Sequence, residues 1–341
     1  MPESTQKPRQ IRKRVGRNVF DAPPRVSVII TAYNKARYIK ETVDSVLAQK
    51  YREHEIIVVN DGSDDTDYLE RELKMRMEDI IYIRQRHAGE GAARNTGIEN
   101  ARGSIIAFLN AGDLWQPDLL ASQNVYLERN GLDLVYCDAA IFGTNSAYRR
   151  NFMDRFPSAG EVNSLSLLER RCNVLMSGTV VRKSHIAAAG MFAYENANRP
   201  ALHLWLRMAK AGARIGYQNK QLVKLRTERD GAEPDALSRL ECERNVFENI
   251  RRTIELNEEE TKIVRRRIAE LEAEIAVEQG HSFLRSGDYT EAVMAFRVAN
   301  RHQHSLKLTA MTWLARVAPK TAMRFSAANH PAGSVYTTPR I

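Results

Sequence analysis

The sequence predicts an α/β protein with a mostly parallel sheet flanked by helices, followed by an all-helical C-terminal appendage. Two observations carry this prediction. Between residues 26 and 109, short apolar runs rich in β-branched residues alternate with segments of helical periodicity, which is the pattern of parallel strands joined by helices. From residue 236 to about residue 326, the pattern is helical and contains no strand signal. The length of 341 residues is enough for two domains.

The alternating region contains four predicted strands and three predicted helices. Each strand is a short apolar run of the kind that forms a buried strand. The first helix places apolar residues at spacings of three and four on one face. In chain order the elements are strand 26–30, helix 38–49, strand 55–60, helix 66–77, strand 80–83, helix 91–100 and strand 104–109.

The remainder of the first domain is a mixture of elements. It is predicted to contain helix 117–129, strand 132–137, an irregular stretch at 150–160, helix 164–170, strand 178–182 and helix 202–211. A Pro- and Gly-containing segment at 229–234 is the best linker. The predicted organisation is therefore a basic arm at 1–24, an α/β domain at 25–228, a helical region at 236–326 and a tail at 327–341. The tail is small and polar and is expected to be disordered.

The net charge of +9 is concentrated partly in the N-terminal arm. A solvated, disordered arm is one interpretation, and peripheral contact with anionic lipid at the inner face of a membrane is the other. No aromatic residue occurs among the basic residues at 7–17, so a nucleic-acid partner is not expected. The arm lacks the apolar core of a secretory signal. Three widely spaced cysteines do not form a disulfide framework, which favours a cytoplasmic location.

The predicted parallel strands end in polar segments at 31–34, 60–65 and 110–113. Ligands of such sheets gather at the carboxyl ends of the strands. All three segments are rich in acidic or amide side chains. The sequence therefore predicts a ligand crevice at this edge of the sheet.

Five short sequence motifs follow one another over about 85 residues. They are VSVIITAYN at 26–34, ETVDSVLAQ at 41–49, EIIVVNDGSDD at 55–65, ARNTGI at 93–98 and GSIIAFL at 103–109. Together they resemble family 2 glycosyltransferases of the GT-A fold. A weaker resemblance continues through 204–207 and 222–226, so that it covers about residues 25–227. It implies a nucleotide-diphosphate sugar as donor, most simply a UDP-sugar, and a hydroxyl acceptor on a polysaccharide, lipid or protein. It also implies a divalent cation, Mg²⁺ or Mn²⁺.

The resemblance also assigns nucleotide-sugar-binding positions. Asp61 stands where the family contacts the base, and the segment lining the base and ribose includes Tyr33. Tyr33 has plain packing as an alternative role, and Arg94, assigned to face the nucleotide, has a salt bridge to the acidic loop as its alternative. The full set implied by the resemblance is Thr31, Ala32, Tyr33, Asn34, Asp61, Arg94, Asn110 and Asp113.

The sequence departs from the family at its acidic positions. The family's acidic metal-binding run is replaced by Asn-Ala-Gly-Asp at 110–113, with Gly112 at the ligand position and Asp113 as the remaining carboxylate for a metal. Ala201 stands where the family has its general base, and His203 is the nearest titratable substitute, with helix packing as its alternative role. A third acidic position, in the segment 190–195, is also neutral.

These departures leave two functions open. One is a glycosyltransferase with an altered site, built on Asp61, Asn110, Asp113 and His203. The other is a catalytically inactive pseudo-glycosyltransferase, acting as a binding or regulatory protein in surface-glycan biosynthesis.

The C-terminal region contains the spacing of one tetratricopeptide-like helix pair, at 271–286 and 290–301. Its pattern residues are Gly280, Phe283, Gly287, Tyr289, Glu291, Ala292, Phe296 and Ala299. One such repeat cannot bury its own apolar face. We therefore expect the pair to pack on neighbouring helices of the chain or, alternatively, on a protein partner.

Overall fold

The computed structural model describes residues 11–16, 23–143, 151–193, 200–227 and 236–329. Most of the basic arm, the linker at 229–234 and residues 330–341 of the tail lie outside the described residues. The chain divides into two compact units, with the boundary between Arg229 and Asp230. No helix within the described ranges has both the length and the apolarity needed to cross a bilayer.

The described part of the first unit contains a sheet of nine strands in the order β1-β4-β3-β2-β5-β8-β7-β9-β6. The strands are β1 (Ile11–Val15), β2 (Val26–Ala32), β3 (His54–Asn60), β4 (Ile81–Gln85), β5 (Ile105–Asn110), β6 (Leu114–Trp115), β7 (Leu134–Gly143), β8 (Thr179–Arg182) and β9 (Ile215–Thr227). The four central strands β4-β3-β2-β5 are parallel, as predicted. β1, β8 and β6 pair with their neighbours antiparallel, so the complete sheet is mixed.

Helices cover both faces of this sheet. They are α1 (Ala36–Leu47), α2 (Thr66–Leu73), α3 (Glu90–Asn100), α4 (Leu119–Arg129), α5 (Phe152–Arg155), α6 (Ser164–Leu168), α7 (Lys183–Ala188) and α8 (Pro200–Lys210). Successive residues of β2 point to opposite faces: Val28 and Ile30 join the core formed with α1, α2 and α4, whereas Ile29 joins the core formed with α3 and α8. The predicted helix-flanked α/β domain is thereby confirmed.

The N-terminal arm is partly ordered. Residues 11–15 were expected to belong to a disordered arm, and instead they form β1, which pairs antiparallel with β4. The physical reason is that the outer side of β4 carries backbone groups that need hydrogen-bond partners. Lys13 also donates from Nζ to Asn100 Oδ1 at 3.0 Å, which ties the strand to α3.

The described second unit is helical throughout, as predicted. Its helices are α9 (Ala236–Thr253), α10 (Glu258–Ser286), α11 (Tyr289–Gln303), α12 (Leu306–Val317) and α13 (Pro319–Asn329). Gly287, at φ +88°, ends α10 in the left-handed conformation that glycine adopts without strain. Gly280 allows α10 to approach Phe296 of α11 closely, since a methyl group at Gly280 would lie 2.6 Å from that ring.

The helix pair α10–α11 does not stand alone in the second unit. α11 packs on α12, α12 packs on α13, and α13 returns to α10. A common apolar cluster joins these helices, including Leu284, Phe296 and Met311. The expectation that the predicted pair packs on neighbouring helices of the same chain therefore agrees with the structure. Residues 327–329, assigned to the tail, form the end of α13.

Candidate functional site

The carboxyl ends of β2, β3 and β5 lie side by side at one edge of the sheet. Ala32 at the end of β2 is paired with Asn60 of β3, and Thr31 is paired with Asn110 of β5. Backbone hydrogen bonds extend this arrangement into the loops, because Asp61 N donates to Ala32 O and Ala111 N donates to Thr31 O. The three polar segments predicted to form a crevice are thus brought together.

Asp61 is buried at this edge, and its carboxylate is surrounded by donors from the last residue of β4 and from the loop that follows it. Oδ1 accepts from Gln85 Nε2 at 2.6 Å and from Ala88 N at 3.0 Å. Oδ2 accepts from Gly89 N at 2.9 Å, and His87 Nδ1 lies 3.0 Å from the same oxygen. A carboxylate has about four lone-pair positions, so these donors use its capacity. Burial raises the pKa of Asp61 despite these hydrogen bonds.

Tyr33 stacks on His87 directly beside this carboxylate. The two ring centroids are 4.2 Å apart and the planes are inclined by 26°. Tyr33 is 44% exposed, so it does not have the buried packing role that was its alternative. The stack forms a flat aromatic surface next to Asp61, of the kind on which a nucleotide base can lie.

The other residues of the β2 end hold the loops together. Asn34 adopts φ +52°, donates from Nδ2 to Asp64 Oδ2 at 3.0 Å and accepts from Asp64 N at 2.8 Å. Ala32 is buried and Thr31 is half-buried. Of the four predicted residues at 31–34, Tyr33 presents an exposed ring. Asn34 is also exposed and holds the loop after β3 through Asp64, whereas Thr31 and Ala32 are covered by the surrounding structure.

Arg94 of α3 is buried and reaches the end of β5. Its guanidinium forms an ion pair with Glu90, one helical turn earlier, and donates to Asn110 Oδ1 at 3.0 Å. It also lies over the ring of Phe192, 5.4 Å from the centroid. The expected alternative partner was the acidic loop; the observed partner is Glu90. Burial lowers the pKa of Arg94 from its high ordinary value.

Asp113, predicted as the remaining metal ligand, is used for other contacts. Oδ2 accepts from Ser177 Oγ at 2.6 Å and Oδ1 accepts from Arg226 N at 3.0 Å. Gly112 contributes no side chain, and Asn110 Oδ1 is occupied by Arg94. Within the described residues, no group of three His, Cys, Asp or Glu side chains could hold a metal. The residues present therefore do not fit a divalent cation, and the expectation for Asp113 disagrees with these contacts.

A guanidinium lies beside the backbone carbonyl of Gly112. Arg226, at the end of β9, donates from Nε to Gly112 O at 2.9 Å and pairs with Glu41 at 2.5 Å. Its flat group packs 4.5 Å from the ring centroids of both Tyr38 and Phe142. The positive charge at this position is therefore carried by a side chain of the protein.

The two residues considered for the base position on α8 do not provide one. Ala201 is buried in the apolar core. His203 Nδ1 accepts from Arg207 Nε at 3.1 Å, and a neutral imidazole has a single acceptor nitrogen. Arg207 also donates to the carbonyls of Ala189 and Met191. These contacts favour the helix-packing role of His203 over the predicted base. Residues 194 and 195 lie outside the described residues.

Asp138 is a buried carboxylate near the same edge that sequence reasoning did not single out. Its Oδ1 accepts from Ala139 N at 2.7 Å and from Met153 N at 3.0 Å. It lies on β7 two residues after Tyr136, which pairs with Thr179 at the start of β8, and β8 pairs in turn with β5. Burial raises the pKa of Asp138, which is the behaviour of many catalytic carboxylates.

Comparison with known sequences identifies the domain that carries this site. Residues 27–194 match the sequence profile described as "Glycosyl transferase family 2". These residues form a family 2 glycosyltransferase domain. An uncharacterised glycosyltransferase of Rickettsia felis is 29% identical over 202 residues, covering 59% of this chain and 33% of that protein. The uncharacterised glycosyltransferase EpsJ of Bacillus subtilis is 36% identical over 136 residues, covering 38% and 37%. The chain thus spans about a third of the length of these relatives.

Solved structures confirm the GT-A fold of the family 2 domain. TarS 1–349 of S. aureus, in complex with UDP-GlcNAc, aligns with a TM-score of 0.57 and 18% identity, covering 93% of this chain and 94% of TarS 1–349. The mannosyltransferase PcManGT of Pyrobaculum calidifontis, in complex with GDP-Man and Mn²⁺, aligns with a TM-score of 0.56 and 19% identity, covering 90% and 85%. At these identities the similarity establishes the fold.

Four residues of the first unit acquire their place in the site only from the structure. They are Gln85, His87, Asp138 and Arg226. A sequence signal existed for two of them. Asp138 directly follows a predicted strand, and strand ends are where such sheets bind ligands. Arg226 is the last residue of the segment 222–226, through which the family resemblance continues. The partners of Gln85 and His87 depend on the path of the β4–α3 loop, which no spacing rule specifies.

Proposed function

We propose that the family 2 domain binds a nucleotide-diphosphate sugar at the edge formed by β2, β3 and β5, for transfer of the sugar to a polysaccharide, lipid or protein acceptor. The observation that carries this proposal is the exposed Tyr33 ring beside the buried Asp61. A nucleotide base stacked on Tyr33 would have its edge next to the segment that contains Asp61. The complex of TarS with UDP-GlcNAc supports a UDP-sugar as donor.

The charge of the diphosphate would be met by a guanidinium. Arg226 lies against Gly112, and a guanidinium is well suited to phosphate oxygens because its N–H groups form a fixed fork. Within the described residues, no three His, Cys, Asp or Glu side chains form a metal-binding group, and both oxygens of Asp113 already accept hydrogen bonds. The divalent cation typical of the family, as in the PcManGT complex, is therefore not required in this proposal.

Asp138 is our proposed base for the transfer. In an inverting transfer, the base takes the proton of the acceptor hydroxyl while the hydroxyl oxygen bonds to the anomeric carbon and the nucleotide diphosphate leaves. Asp138 is on β7, which is separated from β5 by the single strand β8 in the same sheet. Its raised pKa makes it a stronger proton acceptor than an exposed aspartate when it is ionised.

A second candidate function is donor binding without transfer, as in a regulatory pseudo-glycosyltransferase. It is favoured by the buried Ala201 at the base position and by the hydrogen bond between His203 and Arg207.

For both candidate functions, the C-terminal helices are a proposed surface for a protein partner. The proposed location is cytoplasmic, at the inner face of a membrane.

The first test is the metal dependence of nucleotide binding. We expect UDP to bind with the same affinity in EDTA and in excess Mn²⁺, because the part of the chain that the structure describes offers no carboxylate cluster for the cation. Isothermal titration calorimetry measures both affinities. A large Mn²⁺ enhancement in the unmutated protein would contradict this assignment, and absence of UDP, GDP and TDP binding at millimolar nucleotide would contradict the pocket itself.

A variant of Arg226 tests the source of the positive charge. Arg226→Met is expected to weaken UDP binding in EDTA by about 10–100-fold, the loss of one or more charged hydrogen bonds. Lys40→Met is the matched control, because it removes an exposed charge from α1.

A sugar-transfer assay with UDP-sugars separates the two candidate functions. Transfer supports the enzyme, and donor binding without turnover supports the pseudoenzyme.

A further inference from the structure

Helix α12 of the second unit carries an apolar stripe that its own core does not use. Leu306, Trp313 and Val317 are 87%, 61% and 59% exposed. At 3.6 residues per turn these three positions fall within about 40° of one another. The opposite face of the helix, with Leu308, Met311 and Ala315, is buried in the helical core. The helix is therefore apolar on two opposite faces.

Basic residues flank this outer stripe. Lys307 and Arg316 lie roughly 80–100° to either side of it around the helix axis. Lys320 and Arg324 follow in α13. Between residues 306 and 329 the sequence contains these four basic residues and no aspartate or glutamate. An exposed tryptophan and aliphatic stripe bordered by cations is the composition of a helix that lies in the membrane interface.

We propose that α12 and α13 dock on an anionic lipid bilayer, with Trp313 and Leu306 inserted at the level of the headgroups. Lys307 and Arg316 can extend their charged ends toward lipid phosphates while their aliphatic stems follow the apolar stripe. The charge of this surface decides between a lipid bilayer and a second copy of the chain as its partner. A second copy of the chain, meeting this face through a two-fold axis, would bring two sets of four cations together. An anionic surface neutralises them instead.

This surface differs from the basic arm considered from the sequence. In the described part of the arm, Lys13 and Arg14 are engaged with Asn100 and Glu78 of the first unit. The stripe of α12 combines exposed apolar side chains with flanking cations.

Tryptophan fluorescence tests the proposal on the full chain. The protein has three tryptophans, of which Trp115 and Trp205 are buried, so a change in environment on binding reports on Trp313. We expect a blue shift with vesicles of 70:30 POPC:POPG, and quenching by brominated lipid in the same mixture. Vesicles of POPC alone are expected to give a much weaker response. Absence of binding to the anionic vesicles would overturn the proposal.

Variants separate the stripe from other sources of lipid binding. The double variant Leu306→Ser with Trp313→Ser is expected to lose cosedimentation with the anionic vesicles, and Arg316→Gln to lower the partition coefficient about 5-fold. Both changes are at exposed positions, so the fold is retained. Met75→Ser, which removes an 81% exposed apolar side chain from the first unit, is the matched control.

Two further results would overturn the proposal. Full lipid binding by the double variant would assign the lipid contact to the N-terminal arm or to another surface. Concentration-dependent dimerisation that the double variant abolishes, without vesicle binding by the unmutated protein, would assign the stripe to a second copy of the chain. Sedimentation velocity measures that dimerisation.

Discussion

Replacing Asp138 by asparagine is expected to reduce sugar transfer by about 10²–10⁴-fold, the usual contribution of a general base. Asparagine retains an oxygen that can accept from Ala139 N and Met153 N, as Asp138 Oδ1 does. The fold and the UDP affinity should therefore be unchanged, and the loss should fall on turnover. Initial rates of transfer from a UDP-sugar, together with UDP titration, measure the two effects.

Asp154→Asn is the matched control for this prediction. Asp154 is an exposed carboxylate at the start of α5, close enough to contribute to the raised pKa of Asp138. Its replacement removes a nearby charge and leaves the proposed base in place, so transfer should continue. If Asp138→Asn transfers sugar at the rate of the unmutated protein, the base lies elsewhere, and residues 194 and 195 become the next to test.

The pH profile gives an independent readout of the same carboxylate. Burial raises the pKa of Asp138 above the ordinary value of 3.8, and only the ionised form accepts a proton. The acid limb of kcat/KM should therefore fall at a pH above that of an exposed aspartate.

The raised pKa of Asp138 also affects stability, in the opposite direction. The favourable contribution of Asp138 to the free energy of unfolding is complete below its unfolded-state pKa and is lost as the pH rises through its folded-state pKa.

The central strands were predictable because their side chains are buried on both faces. Such strands read as continuous apolar runs, and β2, β3 and β5 were located within two residues at each end. β9 was not predicted, since seven of its thirteen residues are charged or carboxamide side chains or threonine, and its burial pattern follows no regular alternation. The antiparallel pairing of β1 and β8 depends on the route of the chain across the sheet, which local periodicity does not encode.

The positions of the site were predictable, whereas the partners were not. The resemblance to the family assigned Asp113 to a metal, as the carboxylate that remains of the family's acidic run. The structure gives that carboxylate to Ser177 and to the backbone of Arg226, which lies 113 residues further along the chain. Likewise, Arg94 finds its ion-pair partner within its own helix. Contacts between distant segments are set by the tertiary fold and leave no periodic signal in the sequence.

Asp61→Ala should produce the largest change in stability among the site variants and should abolish UDP binding. The alanine leaves the Gln85 amide and the backbone N–H groups of Ala88 and Gly89 without their acceptor. Unpaired buried donors cost about 1–3 kcal/mol each, so we expect the free energy of unfolding to fall by about 3 kcal/mol or more. Urea denaturation measures this change, and calorimetry measures the loss of UDP binding.

His87→Ala is the control that separates anchoring of the loop from stacking. It removes a ring that is more than half exposed and the contact with Tyr33, while the three donors to Asp61 from Gln85, Ala88 and Gly89 remain. It should cost little stability, because an exposed ring contributes little buried apolar area. If Asp61→Ala were as stable as the unmutated protein, the loop would be held by other contacts. Asp61 would then be available to read a base directly, as the resemblance to the family implies.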